Sequence, residues 1–135
     1  MKTLLALLAL FVAPLSLLAA EVPKLKAAEA AKLVADGKAV LVDVREASEW
    51  KENGVAAPAV LLPKSDFDGD QKQWKEFLAK NGDKQVVLYC RSGRRADAVG
   101  AALQEKGIKV ANAGGLKDWK DAGLPTRTVE EKSAK

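Results

Sequence analysis

The sequence concentrates reactive side chains in one short segment that follows a single cysteine. Cys90 is the only cysteine among 135 residues. The segment that it opens contains one glycine and three arginines, and it reads Cys90-Arg91-Ser92-Gly93-Arg94-Arg95-Ala96. The chain has no histidine, which excludes Ser-His-Asp and Cys-His mechanisms and most zinc sites, since imidazole is their usual base or ligand. The chemistry that remains is that of one thiol, carboxylates and cations.

The surroundings of Cys90 predict an activated thiol. An apolar run predicts a buried strand that ends at this cysteine, and helical spacing begins at Arg95. The N–H groups at a helix start carry partial positive charge, and Gly93 allows the loop to curl into an anion-binding nest. These effects and the arginines favour thiolate over thiol. We therefore predict a nucleophilic Cys90 in an anion-binding loop formed by Arg91, Ser92, Gly93, Arg94 and Arg95.

Several of these residues also have plainer interpretations. A lone cysteine is more often a small buried hydrophobe than a nucleophile, although its place beside a Gly-Arg loop favours reactivity at Cys90. Arg91 and Arg94 are equally well explained as solvated surface residues. Asp43 and Arg45 end the neighbouring predicted strand, and we expect them to support the loop through an ion pair or hydrogen bonds. A direct catalytic role is disfavoured because a carboxylate beside a thiolate opposes its charge.

The elements that must position the loop alternate between strand and helix patterns. Continuous apolar runs predict buried strands at 39–44, 60–62, 85–90 and 108–111. Helical spacing predicts helices at 27–35, 46–51, 71–80 and 95–106, with a last helix opened by Gly114 and Gly115. The alternation predicts an α/β fold, a single domain with a central, mainly parallel β-sheet and helices on both faces. Functional residues then collect at the carboxyl ends of the strands.

The other conspicuous segments are predicted to be structural. The acids of the stretch 66–70 lack the twelve-residue loop and terminal Glu of a calcium site, and they predict a solvated turn. Trp50, Trp74 and Trp119 are interpreted as core residues. The polar stretch 126–135 is expected to fray. We predict no metal site and no cofactor.

Residues 1–20 have the layout of a secretory signal peptide. Lys2 precedes an uncharged apolar run, and Ala19 and Ala20 precede the first acid, Glu21. We predict cleavage after Ala20, which leaves a periplasmic protein without a membrane anchor. An uncleaved anchor is the alternative, but the apolar run is shorter than the ~20 residues that a membrane span needs. The chain is thus divided into a signal peptide (1–20), one domain (21–126) and a polar tail (127–135).

The charge distribution of the chain argues against a nucleic-acid partner. The net charge of the whole chain is +4, and removal of residues 1–20 takes away one lysine and no acid. The remaining lysines are scattered among acids, as in Lys51-Glu52 and Lys75-Glu76. Such interleaving is typical of a solvated surface, whereas nucleic-acid sites have clustered cations. We expect a monomer that acts on small molecules.

Three motifs occur in an order that one known family shares. The first is the Cys90 loop, a C-x-x-G-x-R match after an apolar strand. The second is Asp43-Val44-Arg45-Glu46 with Glu49-Trp50, and the third is Ala113-Gly114-Gly115-Leu116 with Trp119 and Gly123-Leu124-Pro125. Together they resemble the rhodanese family over residues 24 to 125. The arrangement is most similar to the exported single-domain rhodaneses of bacteria, of the phage-shock type, although Val55 stands where the family often has histidine.

The resemblance implies a rhodanese-like fold and a sulfurtransferase, with no cofactor. Cys90 would take sulfane sulfur from thiosulfate or a persulfide, hold it as a cysteine persulfide, and pass it to a thiol or cyanide. Arg95 matches the motif arginine and is expected to orient the anionic donor. A non-enzymatic sulfur carrier or partner-binding module is one alternative. A cysteine phosphatase is another, although its C-x5-R loop is longer than the four residues that separate Cys90 from Arg95.

Overall fold

The computed structural model describes residues 21–130, and the predicted signal peptide and residues 131–135 lie outside this range. The helices are α1 (Ala27–Ala35), α2 (Ala47–Asn53), α3 (Lys64–Asp68), α4 (Lys72–Asn81), α5 (Arg94–Glu105) and α6 (Leu116–Asp121). The strands are β1 (Ala39–Asp43), β2 (Val55–Ala56), β3 (Val60–Leu61), β4 (Gln85–Cys90), β5 (Val110–Gly115) and β6 (Thr126–Arg127). Within residues 21–130, no helix is both long enough and apolar enough to cross a membrane.

A four-stranded parallel sheet forms the centre of the fold, with the strand order β3-β1-β4-β5. The predicted α/β fold class is confirmed. The two central strands are in register from Ala39 opposite Gln85 to Asp43 opposite Tyr89. Their apolar side chains are buried because helices cover both faces. This register places the carboxyl end of β1 beside Cys90.

Each face of the sheet has its own apolar core. On one face, α1 and α6 pack around Leu41 and Trp119. On the other, α3, α4 and α5 pack around Trp74, which makes edge-to-face contacts with Phe67 and Phe77 at centroid distances of 5.3 and 5.8 Å. Trp50 is buried in a smaller cluster. The three tryptophans are therefore core residues, as predicted.

The acidic stretch differs from its prediction as a solvated turn, because residues 64–68 form α3. The short helix is stabilised by its apolar residue Phe67, which is buried under the sheet face, and by an ion pair between Lys64 and Asp68. Asp66 accepts the N–H of Trp74 at 3.1 Å and so links α3 to the first turn of α4. The prediction was wrong for residues 66–68 because it considered the acids and not the apolar side chain between them.

The start of the polar C-terminal stretch is also more ordered than predicted. Strand β6 pairs antiparallel with β2, and the Arg127 guanidinium donates to the carbonyls of Ala57 and Ala59 at 3.1 and 2.9 Å. Val129 is buried against Trp50. The prediction of a frayed segment was wrong for residues 126–129, because backbone pairing and one buried valine hold a segment whose other side chains face solvent.

The last strand of the sheet is displaced from its predicted position. Strand β5 covers Val110–Gly115 instead of 108–111, and α6 begins at Leu116 instead of at the two glycines. The strand extends past its apolar residues because the polar side chain of Asn112 is buried and fully hydrogen-bonded. Strand β5 therefore reaches the same sheet edge as the end of β4.

Candidate active site

The Cys90 side chain lies at the junction of β4 and α5. Its side chain is fully buried, and the backbone N–H of Gly93 donates to its Sγ at 3.0 Å. Gly93 has φ +90° and caps the N-terminus of α5, a backbone conformation that a side chain would strain. The loop therefore turns back on the cysteine. The helix dipole and an N–H group both favour negative charge on this sulfur.

Asn112 on β5 fastens the loop from the other side. Its amide nitrogen donates to the Gly93 carbonyl and to a carboxylate oxygen of Asp97, both at 2.8 Å. Its amide oxygen accepts the N–H of Gly114 at 2.8 Å. One side chain, 4% exposed, thus joins the loop, the first turn of α5 and the end of β5. It binds the Gly93 carbonyl and so holds in place the loop whose Gly93 N–H donates to the Cys90 sulfur.

The glycines of β5 allow this close approach. Gly115 lies opposite Cys90 in the sheet, next to a register irregularity. A Cβ at position 115 would lie 2.2 Å from the carbonyl oxygen of Arg91, far inside van der Waals contact. The loop can therefore rest on β5 only if position 115 has no side chain, which gives a physical reason for the Ala-Gly-Gly motif.

Arg95 is held by an acid that was not predicted to belong to the site. Its guanidinium donates to the two carboxylate oxygens of Glu49 at 2.6 and 2.8 Å, and the two side chains are 31% and 24% exposed. These hydrogen bonds raise the pKa of Arg95, and its interaction with Cys90 raises it further. The same hydrogen bonds lower the pKa of Glu49 from 4.5 to about 2. Arg95 therefore links α2 to the Cys90 sulfur.

Asp43 and Arg45 form a buried ion pair at the end of β1, with 0% and 2% exposed side chains. The Asp43 carboxylate accepts the backbone N–H, Nε and Nη2 of Arg45 at 2.7 to 3.1 Å. Burial alone would lower the pKa of Arg45, but the Asp43 hydrogen bonds keep it raised. The guanidinium also donates to the Gly54 carbonyl and lies 5.9 Å from the Tyr89 ring centroid. The pair thus braces the strand end and the residue before Cys90.

The other loop side chains point outward. Arg91, Ser92 and Arg94 are exposed, and the Ser92 hydroxyl accepts the Arg94 N–H at a long 3.5 Å. Two open clefts flank the loop. Ser92 and Arg94 line a cleft of about 770 Å³ beside α1, and Arg91 lines a cleft of about 300 Å³ beside α6. The two exposed arginines, Arg91 and Arg94, therefore line different clefts.

The arrangement can stabilise negative charge on sulfur, either on a nucleophilic thiolate or on a persulfide formed from it. The Gly93 N–H donates to Sγ, and the Arg95 guanidinium interacts with it. Both groups stabilise negative charge, and neither acts as a base. Glu49 and Asn112 were missed as site residues. Glu49 stands in the motif that contains Asp43 and Arg45, and Asn112 directly precedes the Ala-Gly-Gly motif. Their places in these motifs were the only signals in the sequence.

The fold and the site together define a parallel α/β domain in which a cysteine ends a central strand and lies against the loop that leads into the following helix. The family model described as "Rhodanese-like domain" matches residues 26–122. The chain therefore belongs to the rhodanese-like domain family, as its three motifs indicated.

Comparisons with individual proteins agree with this family. A tRNA uridine(34) hydroxylase of Salmonella arizonae is 31% identical over 111 residues, which cover 78% of this chain and 31% of that protein. The chain thus spans about a third of the length of this relative. A Rhodopseudomonas palustris protein of unknown function, described as a possible tyrosine phosphatase, is 27% identical with a TM-score of 0.65, over 78% of this chain and 85% of that one.

A solved thiosulfate sulfurtransferase shares the fold. The enzyme from Pseudomonas aeruginosa superposes with a TM-score of 0.67 at 22% identity, over 81% of this chain and 21% of that chain. A rhodanese-related protein from Thermoplasma volcanium superposes with a TM-score of 0.66 at 24% identity, over 79% of this chain and 99% of that chain. At these identities the likeness concerns the fold.

Substitution of Asn112 by alanine tests its role in fastening the loop. The change leaves the Gly93 carbonyl and the Gly114 N–H without their buried partner, and we expect a loss of about 2–4 kcal/mol in the free energy of unfolding. Urea denaturation followed by tryptophan fluorescence measures this loss. Gln73→Ala, an exposed change on α4, is the control and should alter stability by less than about 0.5 kcal/mol. Equal stabilities of the two variants would contradict the role of Asn112.

The Glu49–Arg95 pair predicts a specific pH dependence of stability. Because the folded pKa of Glu49, about 2, lies below its ordinary 4.5, the ionised carboxylate stabilises the fold above pH 4.5. This contribution is lost as the pH falls toward 2. The free energy of unfolding of Glu49→Gln should lie about 1 kcal/mol below that of the unchanged protein at pH 7. The difference should close between pH 5 and pH 2.

Glu76→Gln is the matched control for this measurement. Glu76 pairs with Lys80 on α4, where both side chains are 70% exposed, so this change should cost little at any pH. Urea denaturation of the three proteins at several pH values supplies the comparison. A Glu49→Gln difference that persisted undiminished at pH 2 would refute the assigned direction of the pKa shift.

Proposed function

We propose that this protein is a sulfurtransferase that moves sulfane sulfur from thiosulfate or a persulfide to a thiophilic acceptor through a Cys90 persulfide. The observation that carries the proposal is the 3.0 Å hydrogen bond from the Gly93 N–H to the Cys90 sulfur at the start of a twelve-residue helix. This geometry stabilises negative charge on sulfur, both on the thiolate and on the persulfide that it forms. Membership of the rhodanese-like family supports the same reaction class.

In the first half-reaction, the Cys90 thiolate attacks the outer sulfur of thiosulfate. A bond forms between Sγ and that sulfur, and the bond between the two sulfur atoms of thiosulfate breaks. Sulfite leaves with the bonding electron pair, and the enzyme retains a negatively charged persulfide. The loop N–H groups hold the charge on the added sulfur, and the exposed Arg91 and Arg94 attract the anionic donor.

In the second half-reaction, an acceptor removes the added sulfur. Cyanide or a thiolate attacks the terminal sulfur of the persulfide, and the bond between the two sulfur atoms breaks. The electron pair of that bond stays on Cys90, which restores the thiolate. This is a two-step covalent cycle in which the donor product leaves before the acceptor reacts. Glu49 and Arg95 hold α2 against the loop while the sulfur changes partners.

The relatives named tRNA uridine(34) hydroxylase match this chain over 111 residues. Their name describes proteins of which this chain spans about a third. The lysines of this chain alternate with acids along the surface, a pattern that does not favour a nucleic-acid substrate. We therefore propose small sulfur compounds as the substrates, acting without a metal or other cofactor.

Turnover of thiosulfate and cyanide tests the proposal. The purified chain 21–135 should produce thiocyanate, and Cys90→Ser should reduce the rate to the uncatalysed level because the attacking atom is lost. Mass spectrometry after incubation with thiosulfate should find one added sulfur atom on the Cys90 peptide. Absence of thiocyanate together with absence of the added sulfur would sink the proposed reaction.

The same experiment separates the enzyme from a non-enzymatic sulfur carrier. A carrier would gain one sulfur atom on Cys90 and release it only once, without sustained thiocyanate formation. Lys75→Gln, an exposed change on α4, controls for general effects of substitution and should retain the full rate. Sustained turnover in Lys75→Gln and its loss in Cys90→Ser are the expected pair of results.

We also propose that residues 1–20 direct export and are removed, which leaves a periplasmic monomer that begins at Glu21. The charged start, the uncharged apolar run and the two alanines before Glu21 support this proposal. Expression of the full chain in a Gram-negative bacterium should give a periplasmic protein whose mass corresponds to residues 21–135. A chain that starts at Glu21 behind an initiator methionine should stay in the cytoplasm. Recovery of the uncleaved chain from the membrane fraction would refute cleavage.

A further inference from the structure

A cationic cleft opens beside the cysteine loop, and its α6 side takes no part in the reaction described above. It has a volume of about 300 Å³ and lies between the loop, α2 and α6. We call it the α6 cleft. Its charged lining residues are Arg45, Glu49, Arg91, Lys117, Lys120 and Asp121.

The contacts of its walls connect the α6 cleft to the neighbours of Cys90, which is itself fully buried and does not line the cleft. Arg91 follows Cys90 directly, and its carbonyl rests against Gly115, the residue that pairs with Cys90 across the sheet. On the α2 side, Glu49 binds Arg95, which in turn interacts with Cys90. A molecule bound in the α6 cleft therefore lies between walls that contact the neighbours of Cys90 on two sides.

The charges in the α6 cleft are only partly compensated. Arg45 is neutralised by the buried Asp43 carboxylate, and Glu49 is already bound by Arg95. Lys117 pairs with Asp121 one helical turn away. Arg91 is exposed, and Lys120 donates to the neutral carbonyl of Asn53 at a long 3.4 Å. Arg91 and Lys120 thus give the cleft a surplus of positive charge.

We propose that the α6 cleft binds the sulfur acceptor, and that Lys120 with Arg91 selects acceptor thiols that carry a carboxylate. This inference rests on the proposed sulfur transfer. Lys120 is exposed on α6, outside the cysteine loop, so it determines acceptor specificity and takes no part in forming the persulfide. The acceptor carboxylate would lie toward Lys120 while its thiol sulfur faces the loop.

The volume of the α6 cleft suits an organic thiol, the acceptor, better than the smaller donor thiosulfate. Thiosulfate is a small anion that the Gly93 N–H and the exposed arginines of the loop can hold. A cleft of about 300 Å³ is at the lower end of the range for small-molecule sites and accommodates an organic thiol. In the transfer step, the acceptor sulfur bonds to the outer persulfide sulfur, the sulfur–sulfur bond to Cys90 breaks, and Cys90 keeps the electron pair. The acceptor proton has already gone to solvent.

Single-turnover transfer from the persulfide-loaded enzyme tests this inference. The enzyme is loaded with thiosulfate, desalted and mixed with mercaptopropionate, mercaptoethanol or cysteamine, which are anionic, neutral and cationic thiols. For each thiol the rate constant of Lys120→Glu is divided by that of the unchanged enzyme, so that intrinsic thiol reactivity cancels. The ratio should fall about fivefold for mercaptopropionate, stay near one for mercaptoethanol and rise above one for cysteamine.

Lys75→Glu on α4 is the matched control because it makes the same charge change on an exposed helix position outside the cleft. Its three ratios should all stay near one. Added salt should slow the unchanged enzyme with mercaptopropionate and leave the mercaptoethanol rate unaltered.

Two results would overturn the acceptor site. One is a Lys120→Glu ratio that is the same for all three thiols. The other is that Lys120→Glu slows persulfide formation from thiosulfate as much as it slows transfer to mercaptopropionate. The charge of Lys120 would then act on every anion and would not select the acceptor. Failure of the unchanged enzyme to form a persulfide would instead refute the proposed function itself. Mass spectrometry of the loading step, carried out first, distinguishes failure of the proposed function from failure of the acceptor site.

Discussion

The hydrogen bond between the Gly93 N–H and the Cys90 sulfur is the constraint on which the site depends. It requires a positive φ at Gly93, and the Gly93 carbonyl is in turn bound by the Asn112 amide. It also requires the loop backbone to lie against Gly115, where a side chain would collide with the Arg91 carbonyl. The site is therefore built from backbone geometry, and the sheet edge supplies that geometry through the pairing of β4 with β5.

The same reliance on backbone shows how a protein without histidine can stabilise negative charge on a sulfur. Two arginines near the sulfur are paired with acids, Arg45 with Asp43 and Arg95 with Glu49. Each pair is close to neutral from a distance, so neither acid opposes a negative sulfur strongly. The Gly93 N–H that donates to the Cys90 sulfur is not a titrating group and supplies a fixed dipole. The charge on sulfur is thus stabilised without a base that could compete for protons.

Local patterns in the sequence determine most of the fold, whereas the support of the site depends on distant contacts. Strand β4 lies where its apolar run predicted it, because burial on both faces requires a continuous run. The Glu49–Arg95 pair joins residues 46 positions apart, and no spacing rule connects such residues before the fold is known. Asn112 was equally hidden, because a polar residue after an apolar run is normally read as the end of the strand.

The Glu49–Arg95 pair also bears on which anions the loop can hold. An enzyme that transfers phosphate from a cysteine loop needs its arginine to bind two oxygens of a tetrahedral oxyanion. Here both arms of the Arg95 guanidinium are already engaged by the Glu49 oxygens. To bind Arg95 in this way, phosphate would have to displace the Glu49 carboxylate, whose pKa is lowered to about 2. The charge-assisted hydrogen bonds between Glu49 and Arg95 would then be lost. A single added sulfur atom carries no oxygens for Arg95 to bind and needs only a backbone donor such as the Gly93 N–H, so the pair can remain intact throughout its transfer.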